Sequence, residues 1–160
     1  MTFKFYALHF FMVDIDLLKK LRNETAVSIA DCRKALEETD SDYKKALEWL
    51  KKHGIEKAEK KADRATEQGM IEAYIHGGGK VGVLVQILCE TDFVARTDDF
   101  KTLAKELAMQ VAAMNPKDVA SLLRQDYIRD NSMTIEALIK SAIGKLGENI
   151  TVKQFTRFEI

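Results

Sequence analysis

Apolar and polar residues follow two different rhythms along this chain, and the change falls near Gly69. Before it the spacing is helical. Ile15, Leu18 and Leu21 follow two candidate caps, Asp14 and Asp16. Ser28 and Asp31 stand as a capping box with an acid shorter than the usual Glu, leading a stripe of Ile29, Cys32, Ala35 and Leu36. Asp40 or Ser41 is the candidate cap of a third helix with Tyr43, Ala46, Leu47 and Leu50 on one face. Gly54 stands where a helix C-terminal glycine belongs. Residues 14–54 thus predict a three-helix module. Residues 55–68 are charged around a thin seam of Ala58, Ala62 and Ala65, which predicts a solvated connecting helix.

From Gly69 the period shortens to two. Ile71, Ala73 and Ile75 face one way and Glu72, Tyr74 and His76 the other. Val81, Val83, Val85, Ile87 and Cys89 alternate with Gly82, Leu84, Gln86, Leu88 and Glu90. Gly77, Gly78 and Gly79 lie between, so the pair predicts a hairpin with a glycine-rich turn. The second strand is apolar on both sides for much of its length, which suits a central position. Phe100, Leu103, Ala104, Leu107, Ala108, Val111 and Ala112 then define a long helix, with Asp98 or Asp99 as cap and Asn115-Pro116 as stop. Residues 117–133 are irregular apart from a short helix around Val119 to Leu123. Thr134 caps a last helix that carries Ile135, Leu138, Ile139, Ala142, Ile143 and Leu146 and ends near Gly147; a strand over Ile150–Ile160 follows. The fold class is α+β: a helical module, then a small antiparallel sheet over 69–160 packed with helices.

Composition narrows the function. Hydrophobic residues make up 46% of the 160, enough for a core. Basic and acidic residues balance at 25 each, so the basic excess of a general nucleic-acid binder is missing and a folded protein partner or a small ligand fits better. Cys32 and Cys89 are far apart and predict reduced, core thiols in a cytoplasmic protein. The apolar run from Phe3 to Val13 is shorter than the roughly 20 residues a bilayer span needs. With Lys4 as its one basic residue and no small-residue cleavage site before Asp14, it fits an added segment over 1–13, with Met12 as a candidate original start. No membrane partner is expected.

Enzyme chemistry finds little support. His76-Gly77-Gly78-Gly79 matches an esterase oxyanion loop superficially, but no serine has the flanks of a nucleophile elbow. Gly77-Gly78-Gly79-Lys80 lacks the spacing of a phosphate loop and leads into a strand rather than a helix. His9, His53 and His76 are scattered, so no metal site, cofactor or catalytic group is expected. The distinctive stretch is Cys89-Glu90-Thr91-Asp92-Phe93-Val94-Ala95-Arg96, between the central strand and the long helix. Thr91 can cap a short turn, with Asp92 favourable at its positive end. Such a turn either projects Phe93 from the corner or lets Phe93 and Val94 pack on the sheet; the residues alone favour packing.

Thr91-Asp-Phe-Val-Ala-Arg96 resembles the signature of the elongation factor Ts family. Asp31-Cys-Arg-Lys-Ala-Leu36, Gly82-Val-Leu-Val-Gln-Ile-Leu-Cys-Glu90 and Ile143-Gly-Lys-Leu-Gly-Glu-Asn-Ile150 resemble further family stretches in the same order. The resemblance implies that residues 14–54 are a ubiquitin-associated (UBA)-like bundle that grips elongation factor Tu around Ser28, Ile29 and Ala30. The family has glycines where this chain has Ala26 and Ser28, and methionines where it has Ile29 and Ala30. The resemblance also implies a non-enzymatic guanine-nucleotide exchange factor that binds GDP-bound and nucleotide-free elongation factor Tu. Its site would be Thr91, Asp92, Phe93, Val94 and Ala95, acting on the partner's magnesium surroundings. A single core subdomain and a homodimer are implied for a chain this compact. The other reading is an adaptor whose helical module binds a peptide or a ubiquitin-like surface.

Overall fold

The computed structural model describes residues 13–160. The expectations for residues 1–12, including Met12 as a start and His9 as a scattered histidine, lie outside the described residues. The chain divides into two compact units between Leu50 and Lys51.

The first unit holds α1 (Ile15–Thr25), α2 (Ile29–Glu38) and the start of α3 (Tyr43–Glu59). Asp14 caps α1, its carboxylate accepting from the Asp16 N–H at 2.8 Å. Ser28 caps α2, accepting from the Asp31 N–H at 3.2 Å while its hydroxyl donates to the Asp31 carboxylate at 2.7 Å. The cap of α3 is neither Asp40 nor Ser41. Those two take positive φ angles of 51° and 60° to reverse the chain, and Asp42 accepts from the Lys44 and Lys45 N–H groups, both at 3.1 Å. Leu21, Cys32, Ala35, Leu36, Ala46 and Leu50 meet in one buried cluster, the apolar faces that the helical spacing marks.

Helix α3 does not end at Gly54 but continues to Glu59. The glycine serves close packing: a Cβ on Gly144 would stand 2.8 Å from the Gly54 Cα, so two backbones touch where neither carries a side chain. No separate helix forms over 55–68. Ala58 is buried in the core of the second unit, residues 60–64 are turns, and the chain enters β1 (Gln68–His76).

The second unit is built on a three-stranded antiparallel sheet of β1, β2 (Val81–Cys89) and β5 (Ile150–Glu159), with β2 in the centre. Gly77–Gly79 form a tight turn between β1 and β2, with φ of 62°, 67° and 93°, which glycine adopts without strain. After β2 come α4 (Asp92–Ala95), α5 (Asp98–Met114), α6 (Val119–Arg124), β3 (Asp126–Tyr127), β4 (Asp130–Thr134) and α7 (Ile135–Leu146). Thr97 caps α5, its hydroxyl accepting from the Phe100 N–H at 3.2 Å. Asp98 and Asp99, the expected caps, sit instead in the first turn, where their charge suits the helix dipole. Asn115 closes α5 in a left-handed conformation just before Pro116.

The β3–β4 hairpin lies in the stretch expected to be irregular. Gln110, fully buried on α5, holds it: its amide donates to the Asp126 carbonyl at 3.0 Å and its oxygen accepts from the Ile128 N–H at 3.0 Å. Val83, Val85, Ile87 and Cys89 face α5 and α7 with Ile150 and the partly buried Val152 and Phe155. The opposite face of the sheet is open and carries Ile71, Ile75, Leu84 and Phe158. On β1 the more apolar set is thus the uncovered one, while Met70 and Tyr74 face the core.

Candidate functional site

At the C-terminal end of β2 the chain turns through Glu90 and Thr91 into α4, a helix of four residues. Thr91 is its cap, with the Val94 N–H donating to the Thr91 hydroxyl oxygen at 3.5 Å. Val94 packs against the core, and Thr91, Asp92 and Ala95 are half-buried. Phe93 points the other way, and the residue is 78% exposed. The packing reading of Phe93 therefore does not hold: Val94 takes the inward position, and on one helical turn its neighbour must face out. Asp92 pairs with Arg96 one turn later at 2.7 Å. The pair is exposed, and such pairs contribute about 0–1 kcal/mol, too little to hold Asp92 against a better partner.

Beneath the tip lies a polar network that links three segments. Both oxygens of Glu148 accept from Thr91, one from its backbone N–H at 2.9 Å and one from its hydroxyl at 2.6 Å. Glu90 accepts from the Asn149 N–H at 2.7 Å. The buried Asn149 amide donates to the carbonyls of Ala62 at 3.1 Å and Arg64 at 2.8 Å. Lys61 donates to the Gly147 carbonyl. The Cys89 thiol donates to the Thr91 carbonyl at 3.1 Å; burial, and then the Glu148 carboxylate nearby, push it above its ordinary value, so it stays neutral. Both cysteines are free and buried.

Sequence reasoning did not give Glu90, Glu148 or Asn149 a role. The available signal was that Glu148 and Asn149 stand in the Ile143–Ile150 stretch and Glu90 immediately precedes Thr91. Nothing in their spacing announces that they meet across 57 to 59 positions.

The second expected position lies on the other unit. Ser28, Ile29 and Ala30 form the exposed N-terminus of α2, with Ile29 53% exposed. Just before them Ala26 holds a left-handed φ of 51° as the last residue of the α1 turn.

Among the described residues no group of three His, Cys, Asp or Glu side chains could hold a metal ion, and no helix is long and apolar enough to cross a membrane. What the chain does present is apolar side chains held out on helix N-termini beside polar scaffolding. They stand on a small α+β protein, open to contact with another surface.

The comparisons give that class a family. The family described as "Elongation factor TS" matches residues 90–160, and "Elongation factor Ts, mitochondrial, N-terminal" matches residues 4–61. An elongation factor Ts of Nostoc sp. is 47% identical over 92% of this chain, which spans only 47% of that relative's length. One of Thermotoga neapolitana is 43% identical over 92% of this chain and 97% of its own length, and one of Coprothermobacter proteolyticus is 42% identical over 92% and 98%. This chain belongs to the elongation factor Ts family. The alignment to the Thermotoga relative runs over 191 positions, more than the whole of this 160-residue chain, so that relative carries internal residues with no counterpart here.

Proposed function

We propose that this chain is a guanine-nucleotide exchange factor that binds elongation factor Tu, in its GDP-bound and nucleotide-free forms, and speeds GDP release during translation in the cytoplasm. The observation that carries this reading is the exposed Phe93 ring beside Asp92 at the exit of the central strand. A large ring in water is poor economy for a lone protein and suits an anchor that fills a pocket on a partner.

The physics of exchange asks for little more. GDP and its Mg²⁺ leave slowly because many contacts break together. A factor that binds better to a partner already distorted there lowers nucleotide affinity, and by linkage GDP lowers the factor's affinity by the same ratio. In this reading Phe93 enters the partner as a wedge, with Thr91, Val94 and Ala95 as its support. Asp92 exchanges its weak Arg96 pairing for the partner's magnesium surroundings, which tolerate little departure from octahedral geometry. Ser28, Ile29 and Ala30 supply a second, separate grip. No bond is made or broken by the chain itself, so it acts without being an enzyme.

A second copy of this chain is the further partner we propose. The open sheet face with Ile71, Ile75, Leu84 and Phe158 offers the apolar surface that a homodimer would bury.

Stopped-flow release of labelled GDP from elongation factor Tu tests the reading. The intact chain is expected to accelerate release, and folded Phe93→Ala to lose most of the effect. Release at the spontaneous rate with the intact chain would instead favour an adaptor that binds a peptide or a ubiquitin-like surface.

A further inference from the structure

The hydrogen bonds within the tip that carries Asp92 and Phe93 do not by themselves fix its direction relative to the sheet. Four residues are far below the length at which a helix holds itself, about 12–15 residues in water. The turn's own bonds are long: 3.5 Å from Val94 N–H to the Thr91 hydroxyl, 3.3 Å from Ala95 N–H to the Thr91 carbonyl and 3.2 Å from Arg96 N–H to the Asp92 carbonyl. Good N–H···O bonds cluster near 2.9–3.0 Å, so these lie at the weak end. The corner's short contacts are those from Thr97 to the Val94 carbonyl, 3.0 Å from its N–H and 2.8 Å from its hydroxyl, the Arg96–Asp92 pair at 2.7 Å, and the two that Thr91 donates to Glu148, at 2.9 and 2.6 Å; of these only the last two reach outside residues 91–97.

Glu148 is itself firmly placed. It follows Gly147, whose left-handed φ of 82° ends α7 with an N–H bond to Ile143 at 2.9 Å. It precedes Asn149, whose backbone and side chain are tied to Glu90, Ala62 and Arg64. A carboxylate held on both sides therefore takes both donors of the cap residue, and with them sets the direction in which α4 leaves the sheet.

We propose that Glu148 is the positioning residue of the exchange tip: its two-oxygen clamp on Thr91 holds Asp92 and Phe93 ready before the partner arrives. The inference rests on the reading of Phe93 as the element that drives exchange. A tip ordered in advance loses less freedom on binding, and the gain appears as faster exchange at a given concentration. The clamp lies 57 positions away in sequence from the residue it holds, and Glu148 is half-buried, with both its oxygens turned to Thr91.

The test uses the full chain with Glu148→Gln, which keeps the shape but replaces one acceptor oxygen by a donor. Glu148→Asp, one methylene too short to reach both donors, stands in should the first variant unfold. Three quantities are read: melting temperature, amide hydrogen exchange over residues 92–97, and GDP release from elongation factor Tu. Glu148→Gln is expected to speed amide exchange in that stretch and to slow stimulated GDP release about tenfold, the effect of an ordering cost of about 1.4 kcal/mol. In a Phe93→Ala background the Glu148→Gln change should slow release by much less than tenfold, because only Asp92 is left to aim. A stability effect alone would multiply the two losses and overturn the proposal. Parental release in folded Glu148→Gln, alongside lost release in Phe93→Ala, refutes the clamp and spares the wedge. Parental release in Phe93→Ala refutes the wedge, and the clamp's functional role with it.

Discussion

Of the helix N-termini that hold an apolar side chain out into water, those carrying Ile29 and Phe93 are secured by opposite means. Ile29 stands on α2, a helix of ten residues whose cap is closed by Ser28 and Asp31 three positions apart. Phe93 stands on a helix of four residues whose cap is closed by Glu148, 57 positions away. The first tip would keep much of its shape wherever α2 formed. The second exists because the ends of β2 and α7 are brought together. A contact point that a short stretch of chain can build depends on little beyond its own helix. A contact point assembled from distant segments depends on the whole unit.

The largest expected difference lies in partner binding. Phe93→Ala should weaken binding to elongation factor Tu by about 2 kcal/mol or more, roughly 30-fold, as for a buried interface anchor. Ile29→Ala should cost about 1 kcal/mol, since fewer apolar atoms are removed. Titration calorimetry reads both, and equal losses would erase the contrast. Both side chains are exposed, so neither change should move unfolding free energy by more than about 0.5 kcal/mol.

Next comes Gly144→Ala. The added methyl gains about 1 kcal/mol of helix propensity, but it must push α7 off the Gly54 backbone 2.8 Å away, and overpacking of that kind costs about 1–3 kcal/mol. Net destabilisation is expected in denaturant titration. Because α7 carries Glu148 at its end, amide protection should fall around Thr91–Arg96 while α2 stays protected. Equal loosening at both tips would deny that they are held independently.

Removing the two caps gives a finer comparison. Ser28→Ala and Thr91→Ala should each cost about 1 kcal/mol in unfolding free energy. The first should raise amide exchange only in the opening turn of α2. The second should also release Glu148 and be felt at Asn149 and Gly147. The smallest effect should come from Ala26→Gly. A left-handed φ costs an alanine about 1–2 kcal/mol, and glycine's extra freedom in the unfolded chain takes back about 0.4–1 kcal/mol. The variant should therefore be more stable by about 0.5–1 kcal/mol in denaturant titration, and a loss of stability would show that the strain at Ala26 is relieved by other contacts.

Much of the architecture was legible in the order of residues. Period and caps lie within a few positions of one another, so they need no tertiary information. Ile29, Cys32, Ala35 and Leu36 announced α2, the alternation from Val81 to Cys89 announced a central strand, and Thr134 and Gly147 bounded α7. The stretch from Thr91 to Arg96 stood out as the distinctive one, and Thr91 was readable as a cap. Where neighbouring residues competed for one role, the sequence could not choose. Thr97 rather than Asp98 or Asp99 caps α5, and Asp42 rather than Asp40 or Ser41 caps α3, because only the folded backbone decides which oxygen faces the free N–H groups.

What the sequence determined by itself was therefore the local chemistry: which stretches coil or extend, which side of each is apolar, and where an unusual aromatic–acid pair falls. Only the tertiary structure decided that Gly54 is a contact rather than an end, that the more apolar side of β1 is left uncovered, that Phe93 faces water, and that Glu148 holds the corner beneath it. The reason is range. A helix or a cap is settled among residues a few positions apart, whereas burial and long-range hydrogen bonds are settled by neighbours that the chain brings together only by folding.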